Sequence, residues 1–519
     1  MTKKSISKAL PGIFTLFTII GAILFRSCRQ HWIFVTTTVG FNLPIIVISL
    51  MITFSVLLGI LYVLRLSGNK FCEKKAYKAL LIIGGIFSVF LLIFGLAYSI
   101  GCSMGEGREV FIGYFAQTLS ESALLIAIPF FTLIFPKYSS KFKKAITCLS
   151  LVAVILFGIN AHCPLTAYKI TSEPMVIDNG EEYIIVFATN DEGSAYVEYT
   201  YNGKDYKVYD NVGGRLTAGR IHSIAVPYEH LRGNTYKVSS TRVMEDFSYG
   251  SRRGSTVTSD EYEFTYNETD NQTWLVISDW HTMLDDAYAA IGNLQSDYDA
   301  VILLGDASPG VDFEQQVISN IVEFGGKVSG GNKPVLYARG NHETRGSYAD
   351  DLAVSLGIDE FYYTSDIGPY SFVILDSGED KVDSHVEYGG MTDYETYRAD
   401  MIQWLKGVEV KNEKVIALSH AWQISTVEND LSLTGWAELD RLGTRLIISG
   451  HEHSCRILGE RDGYEKQIKE AYPHIIGYLD GGKTSGNYVA SLMKLSESGF
   501  ELKAVDKEGS VILSESFDW

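Results

Sequence analysis

The chain has 519 residues and a formal net charge of −18, too long for one ordinary domain and too acidic to favour a nucleic-acid partner. The charge is divided unevenly: residues 1–162 hold fifteen Lys/Arg and four Asp/Glu, and the remainder holds 29 Lys/Arg and 58 Asp/Glu. A basic, apolar first third joined to an acidic remainder reads as a membrane anchor carrying an aqueous domain. Of six cysteines, only Cys455 lies beyond residue 163, and no CxxC pair or disulfide framework is present.

Apolar runs recur at 10–25, 41–64, 79–100, 113–135 and 145–159. A helix needs ~20 residues to cross the hydrocarbon core, so these predict a transmembrane helical bundle of about five spans over residues 1–162. A cleaved signal peptide is the rival reading of the first run, but Arg26-Ser27-Cys28-Arg29 follows it rather than a small-x-small site. The loop with Arg65, Lys70, Lys74, Lys75 and Lys78 is basic, as is that with Lys137, Lys141, Lys143 and Lys144. Basic loops stay in the cytoplasm. This orientation puts the amino terminus inside and everything after the fifth span outside, in a multi-pass plasma-membrane protein whose first partner is the lipid bilayer. Glu121, within the fourth run, marks either the membrane interface or an ion path.

Residues 163–270 change character. Strict alternation in Val197-Glu198-Tyr199-Thr200-Tyr201 and in Tyr262-Glu263-Phe264-Thr265-Tyr266 predicts half-buried strands, and Asn202-Gly203 predicts a hairpin turn. The expectation is a small β-sandwich. Asn267-Glu268-Thr269 and Asn271-Gln272-Thr273 are glycosylation sequons.

From residue 271 to 519, strands and helices alternate, which predicts layered sheets covered by helices. Apolar β-rich runs at 274–277, 301–304, 335–337, 415–418 and 446–448 each end beside a polar motif. The motifs are Asp279-Trp280-His281, Gly305-Asp306, Gly340-Asn341-His342-Glu343, His420, and Gly450-His451-Glu452-His453. Each alone has an ordinary explanation as a helix cap, a loop pair or a packed histidine. Together they place hard donors on the carboxyl ends of neighbouring strands, where they can converge on divalent cations. Five of the eleven histidines lie in these blocks, whereas His31, His162, His222, His230, His385 and His474 have no such setting and read as structural. Cys455 reads as a packed thiol.

Over residues 272–500 the order and spacing of these motifs resemble the calcineurin-like metallophosphoesterase superfamily. The preceding β segment looks like the fibronectin type III-like domain of purple acid phosphatase-like proteins. The resemblance implies a four-layer αββα domain and two divalent metal ions. Asp279, His281 and His453 would ligate the first, Asn341, His420 and His451 the second, and Asp306 would bridge them. It also implies a metal-bridging hydroxide that attacks a phosphate mono- or diester, with His342 protonating the leaving oxygen or stabilising charge. Purple acid phosphatases carry an iron-binding tyrosine three residues after the bridging aspartate. Pro309 stands there, so manganese, iron(II) or zinc is expected instead. The implied function is a membrane-anchored phosphoesterase acting on a phosphate ester outside the cytoplasm. The alternative is a non-enzymatic sensor or envelope-assembly protein that binds a phosphorylated ligand. Arg339 or Arg345 could hold the substrate phosphate or form ion pairs, and Trp422 could stack on a leaving group or pack.

Overall fold

A computed structural model describes residues 3–27, 38–102, 166–247, 250–424, 434–459 and 463–519, with Arg461 and a few positions between 141 and 152. It divides into two units, one formed by residues 1–167 with 244–253 and the other by residues 168–243 with 254–519.

The first unit contains helices Lys3–Ser27, Thr38–Leu66 and Lys75–Cys102. Ser49–Leu66 and Lys75–Ala97 are long and apolar enough to cross a membrane, and Ala9–Phe25 is a shorter apolar stretch. The first three expected runs fall on these helices. The fourth run, with Glu121, and most of the fifth lie outside the described residues. Helices Lys3–Ser27 and Lys75–Cys102 meet through small residues. Thr18 Oγ1 and Ser88 Oγ are 2.8 Å apart. A Cβ on Gly95 would stand 2.7 Å from the Gly21 carbonyl oxygen, so a glycine is needed for this approach. Small residues at these points let the two helix backbones approach closely, and the hydroxyl pair satisfies itself inside the contact.

The second unit is built on two sheets. The parallel centre of the first runs Gln272–Ile277, Ala300–Leu303, Pro334–Tyr337 and Met175–Asp178, in register at Trp274↔Ala300, Val301↔Val335 and Val176↔Pro334. The parallel centre of the second runs Tyr370–Leu375, Lys414–Ser419, Thr444–Ser449 and Ile476–Leu479. Successive strand residues point to opposite faces, and this sorts the apolar side chains into three cores. Trp274, Val276, Ile302 and Leu336 of the first sheet meet Phe372, Ile374, Leu418 and Ile448 of the second. On the first sheet's other face, Leu275, Ile277 and Val301 pack with Ala287 of helix Leu284–Leu294 and Ile318 and Phe324 of the helical stretch 314–329. On the second sheet's other face, Val373, Leu375 and Ile447 pack with Met401, Trp436 and Ile468 from helices Tyr394–Gly407, Thr434–Arg441 and Tyr464–Ala471. This is an αββα stack, as expected.

The segment before it, expected as a small β-sandwich, shares a sheet with that stack. Its strands do share an apolar core, which includes Ile185, Phe187, Val197, Val238 and Phe264. The expected turn is present, with Asn202 and Gly203 both at positive φ and Tyr201 paired with Lys204. However, Met175–Asp178 is hydrogen-bonded beside Pro334–Tyr337, and Tyr183–Tyr201 extends the same sheet. Backbone pairing therefore crosses the boundary expected at residue 270. The physical reason is plain in the sequence: Met175–Asp178 is buried on both faces and has no alternation to announce it. Alternation elsewhere reveals a strand but not its neighbour.

This continuity predicts that a chain beginning at Gln272 cannot stand alone. It would expose the Pro334–Tyr337 edge and the apolar surface that Met175 and Ile177 cover, and would aggregate. A soluble, monomeric, cooperatively unfolding fragment by size-exclusion chromatography and calorimetry would contradict it.

Candidate metal centre

The motif residues sit in the loops that leave the parallel strands at their carboxyl ends. Several adopt left-handed backbone: φ is 47° at Asp279, 36° at His281, 56° at Asp306, 67° at His451 and 51° at His453. Residues with a Cβ avoid this region, at a cost of roughly 1–3 kcal/mol each. Backbone bonds hold the loops against that cost. Asp279 N donates to Gly305 O at 3.0 Å and His281 N to Asp306 O at 2.9 Å. The Glu343 carboxylate accepts from Asp306 N (2.8 Å), Ala307 N (2.5 Å) and Gly340 N (2.9 Å), locking two motif loops together.

Two groups of potential ligand atoms result, Asp279, His281, Asp306 and His453 in one and Asp306, His420 and His451 in the other. In the first, His281 Nε2 lies 3.2 Å from His453 Nε2 and 3.6 Å from Asp306 Oδ2, and His453 Nε2 lies 3.3 Å from Asp279 Oδ1. In the second, His420 Nε2 lies 3.2 Å from Asp306 Oδ2. Asn341 joins this group, its Oδ1 being 3.2 Å from His451 Nδ1. All seven expected ligand positions are thus brought together, with Asp306 common to both groups. His342 lies beside them: its backbone N donates to Asp306 Oδ1 at 2.9 Å and its Nε2 is 3.8 Å from Asp306 Oδ2.

The donor chemistry fits divalent cations. A carbonyl only accepts, so the His420 Nδ1 contact with Leu304 O makes Nδ1 the donor and turns Nε2, whose lone pair a cation would take once its proton leaves, toward the carboxylates. That Nε2 is buried, and although it is 3.2 Å from Asp306 Oδ2 it makes no well-aligned hydrogen bond, so a cation would satisfy it. The same logic applies to His342, whose Nδ1–H donates to Pro309 O at 2.9 Å and leaves Nε2 turned to the open side.

Electrostatics divide the imidazoles. Burial lowers His281 to about 4 against the pull of Asp306 and Asp279, so it stays neutral. Burial also lowers His451, helped by nearby His420. Burial opposes charge on His420 too, but Asp306 and Asp279 outweigh it and raise the group to about 10. Burial raises the Asp306 carboxyl, yet His420 and His342 overcome this and hold it well below the usual range.

The residues with two readings are also placed. Arg339 is buried against Asp376, with Nε 2.8 Å and Nη2 2.6 Å from Oδ2, so it is a structural ion pair. Trp422 is buried, donates to Glu452 and stacks on Tyr464, so it packs. Cys455 Sγ faces Tyr478 Oη at 3.5 Å, and burial pushes the thiol up to about 12. His222, His230, His385 and His474 find partners in Asp210, Tyr199, Glu387 and Asp440, away from the centre. His31 and His162 lie outside the described residues. Sequence reasoning passed over Glu343, whose place in the Gly-Asn-His-Glu motif was its signal. It missed Glu379, which has no motif.

The family model described as calcineurin-like phosphoesterase matches residues 273–455, so the chain carries a calcineurin-like metallophosphoesterase domain there. Among solved structures, a purple acid phosphatase from yellow lupin (Lupinus luteus) is similar at 14% identity, 66% of this chain, 74% of that chain and TM-score 0.45. PhoD is similar at 9% identity, 67%, 90% and 0.37, and GAP50 of Plasmodium at 15%, 48%, 89% and 0.35, in the same order. No curated protein matches.

Because Asp306 and Asp279 raise His420 to about 10, a cation that binds at this cluster must displace its proton. Cation affinity should therefore fall as pH drops below that value, by about tenfold per unit while one proton is displaced. Manganese or zinc titration calorimetry of the full chain in detergent, in two buffers of different ionisation enthalpy, checks this. Affinity that is flat with pH and releases no proton would contradict it.

Proposed function

We propose that this chain is a membrane-anchored phosphoesterase that hydrolyses phosphate mono- or diesters outside the cytoplasm and uses two divalent cations, manganese, iron(II) or zinc. In this reading residues 1–162 anchor the chain, residues 271–519 carry the chemistry, and residues 163–270 buttress it through their shared sheet. The observation that carries it is the meeting of oxygen and nitrogen donors from six residues around the Asp306 carboxylate, one of them the buried His420 Nε2.

Asp279, His281 and His453 would hold one cation, Asn341, His420 and His451 the other, and Asp306 both. When bound, such a pair supplies an activated water and neutralises phosphoryl charge. The chain's own groups do the rest. Pro309 O fixes Nδ1–H of His342, so Nε2 is the atom that carries a proton to the leaving oxygen. The burial of Asp279 and Asp306 keeps bulk water from screening the centre. The basic loop around Lys70, Lys74 and Lys75 supports an external catalytic unit under the positive-inside rule.

The test uses the full chain in detergent with manganese, zinc or iron(II), aryl phosphate mono- and diesters, and metal content measured on the same samples. His342→Ala should lower kcat about 10²–10⁴-fold with bound metal retained. Asp306→Asn should lose both metal and turnover. Equal rates in all three proteins, or metal binding without any turnover in the wild type, would end the proposal. The second result would favour the non-enzymatic alternative.

A further inference from the structure

One arginine beside the centre spends only part of its guanidinium on its ion pair. Arg345 follows the short helical turn His342–Thr344 and is partly exposed, its side chain 34% accessible. Its backbone is fixed, since Arg345 O accepts from Val311 N at 2.7 Å. One edge of its guanidinium is held by Glu379, with Nε 2.5 Å from Oε1 and Nη2 2.7 Å from Oε2. The remaining nitrogen, Nη1, lies 3.4 Å from His342 Nε2.

Glu379 is buried and does more than neutralise this arginine. It also accepts from Thr344 Oγ1 and Tyr388 Oη, both at 3.1 Å, and lies 3.5 Å from Asn341 Nδ2. Burial raises its carboxyl, but Arg345, Thr344 and Tyr388 overcome that and keep it ionised. Glu379 therefore turns the Asn341 amide nitrogen away from the centre, and the amide oxygen faces His451. The same carboxylate sets the arginine beside His342 and the asparagine beside the cluster. Arg339, the other arginine close to the motif, is occupied by Asp376 and lies within the protein.

We propose that Arg345 binds a non-bridging oxygen of the substrate's phosphoryl group through Nη1, and that Glu379 is the positioning residue that aims both Arg345 and Asn341. This rests on the phosphoesterase reading. A planar guanidinium pre-set along one edge suits such a role, because its remaining N–H groups point in a fixed direction at a developing anion. Arg345 touches the substrate in this scheme, whereas Glu379 acts only through its neighbours.

The experiment compares wild type, Arg345→Gln, Arg345→Lys and Glu379→Gln as full chains in detergent. The readouts are metal content, inorganic phosphate binding by calorimetry, and kcat and KM for an aryl phosphate. Arg345→Gln should retain metal at the wild-type level and weaken phosphate binding on the order of ten- to a hundredfold. Its KM should rise more than its kcat falls, and Arg345→Lys should recover part of the loss. Glu379→Gln should weaken phosphate binding and also lose metal, because Asn341 is released. Wild-type phosphate affinity and KM in Arg345→Gln, with an active wild type, would overturn the assignment while leaving the phosphoesterase reading intact. A metal-loaded wild type that neither binds phosphate nor turns over would overturn both.

Discussion

The carboxylate of Asp306 ties the two sheets of the αββα stack into one chemical object. It leaves the first sheet after Ala300–Leu303, yet its Oδ2 is 3.2 Å from His420, which leaves the second sheet after Lys414–Ser419. The carboxylate is buried, and a buried charge is tolerated only with compensation. His420, His342 N–H and His281 surround it for that reason. A cation held by these groups would supply the compensating positive charge at the same place. The closure of the inter-sheet core by Trp274, Phe372 and Ile448 brings these groups within reach.

Local backbone strain belongs to the same arrangement. Five of the motif residues hold a left-handed backbone that their side chains disfavour. The surroundings over-determine it at Asp306 through Glu343, whose buried carboxylate takes three backbone N–H groups from two loops, and at Asp279 and His281 through backbone bonds to Gly305 O and Asp306 O. Glu343 therefore contributes to the centre without facing it. Glu379 plays the matching part on the other side, where it settles which end of the Asn341 amide looks inward.

Much of the centre was legible in the sequence because its chemistry is local to short motifs at strand ends. Asp279, His281, Asp306, Asn341, His420, His451 and His453 were readable from residue type and the apolar run before each. The supporting residues were less so. Glu379 lies in no motif, and its role depends on a fold that brings residue 379 to residues 341 and 345. Arg339 and Arg345 are indistinguishable in sequence, each a basic residue near the same motif, and only the position of Asp376 separates them. The β segment was legible as strands and as a hairpin at Asn202-Gly203. Its membership in the central sheet was not, because parallel pairing across more than 150 residues leaves no periodic signature.

The motif glycines carry a consequence for how such a centre can change over evolution. A Cβ on Gly340 would stand 2.3 Å from Asp306 Oδ1, and one on Gly450 would stand 2.4 Å from Asp279 Oδ2. At these points the main chain itself touches the candidate ligand carboxylates. Donor identity can drift, since histidine, asparagine and aspartate all offer a suitable atom, whereas these two positions have no spare volume. A change of metal preference could thus proceed by exchange of ligand side chains, but not by a larger residue at either glycine without moving the carboxylate beside it.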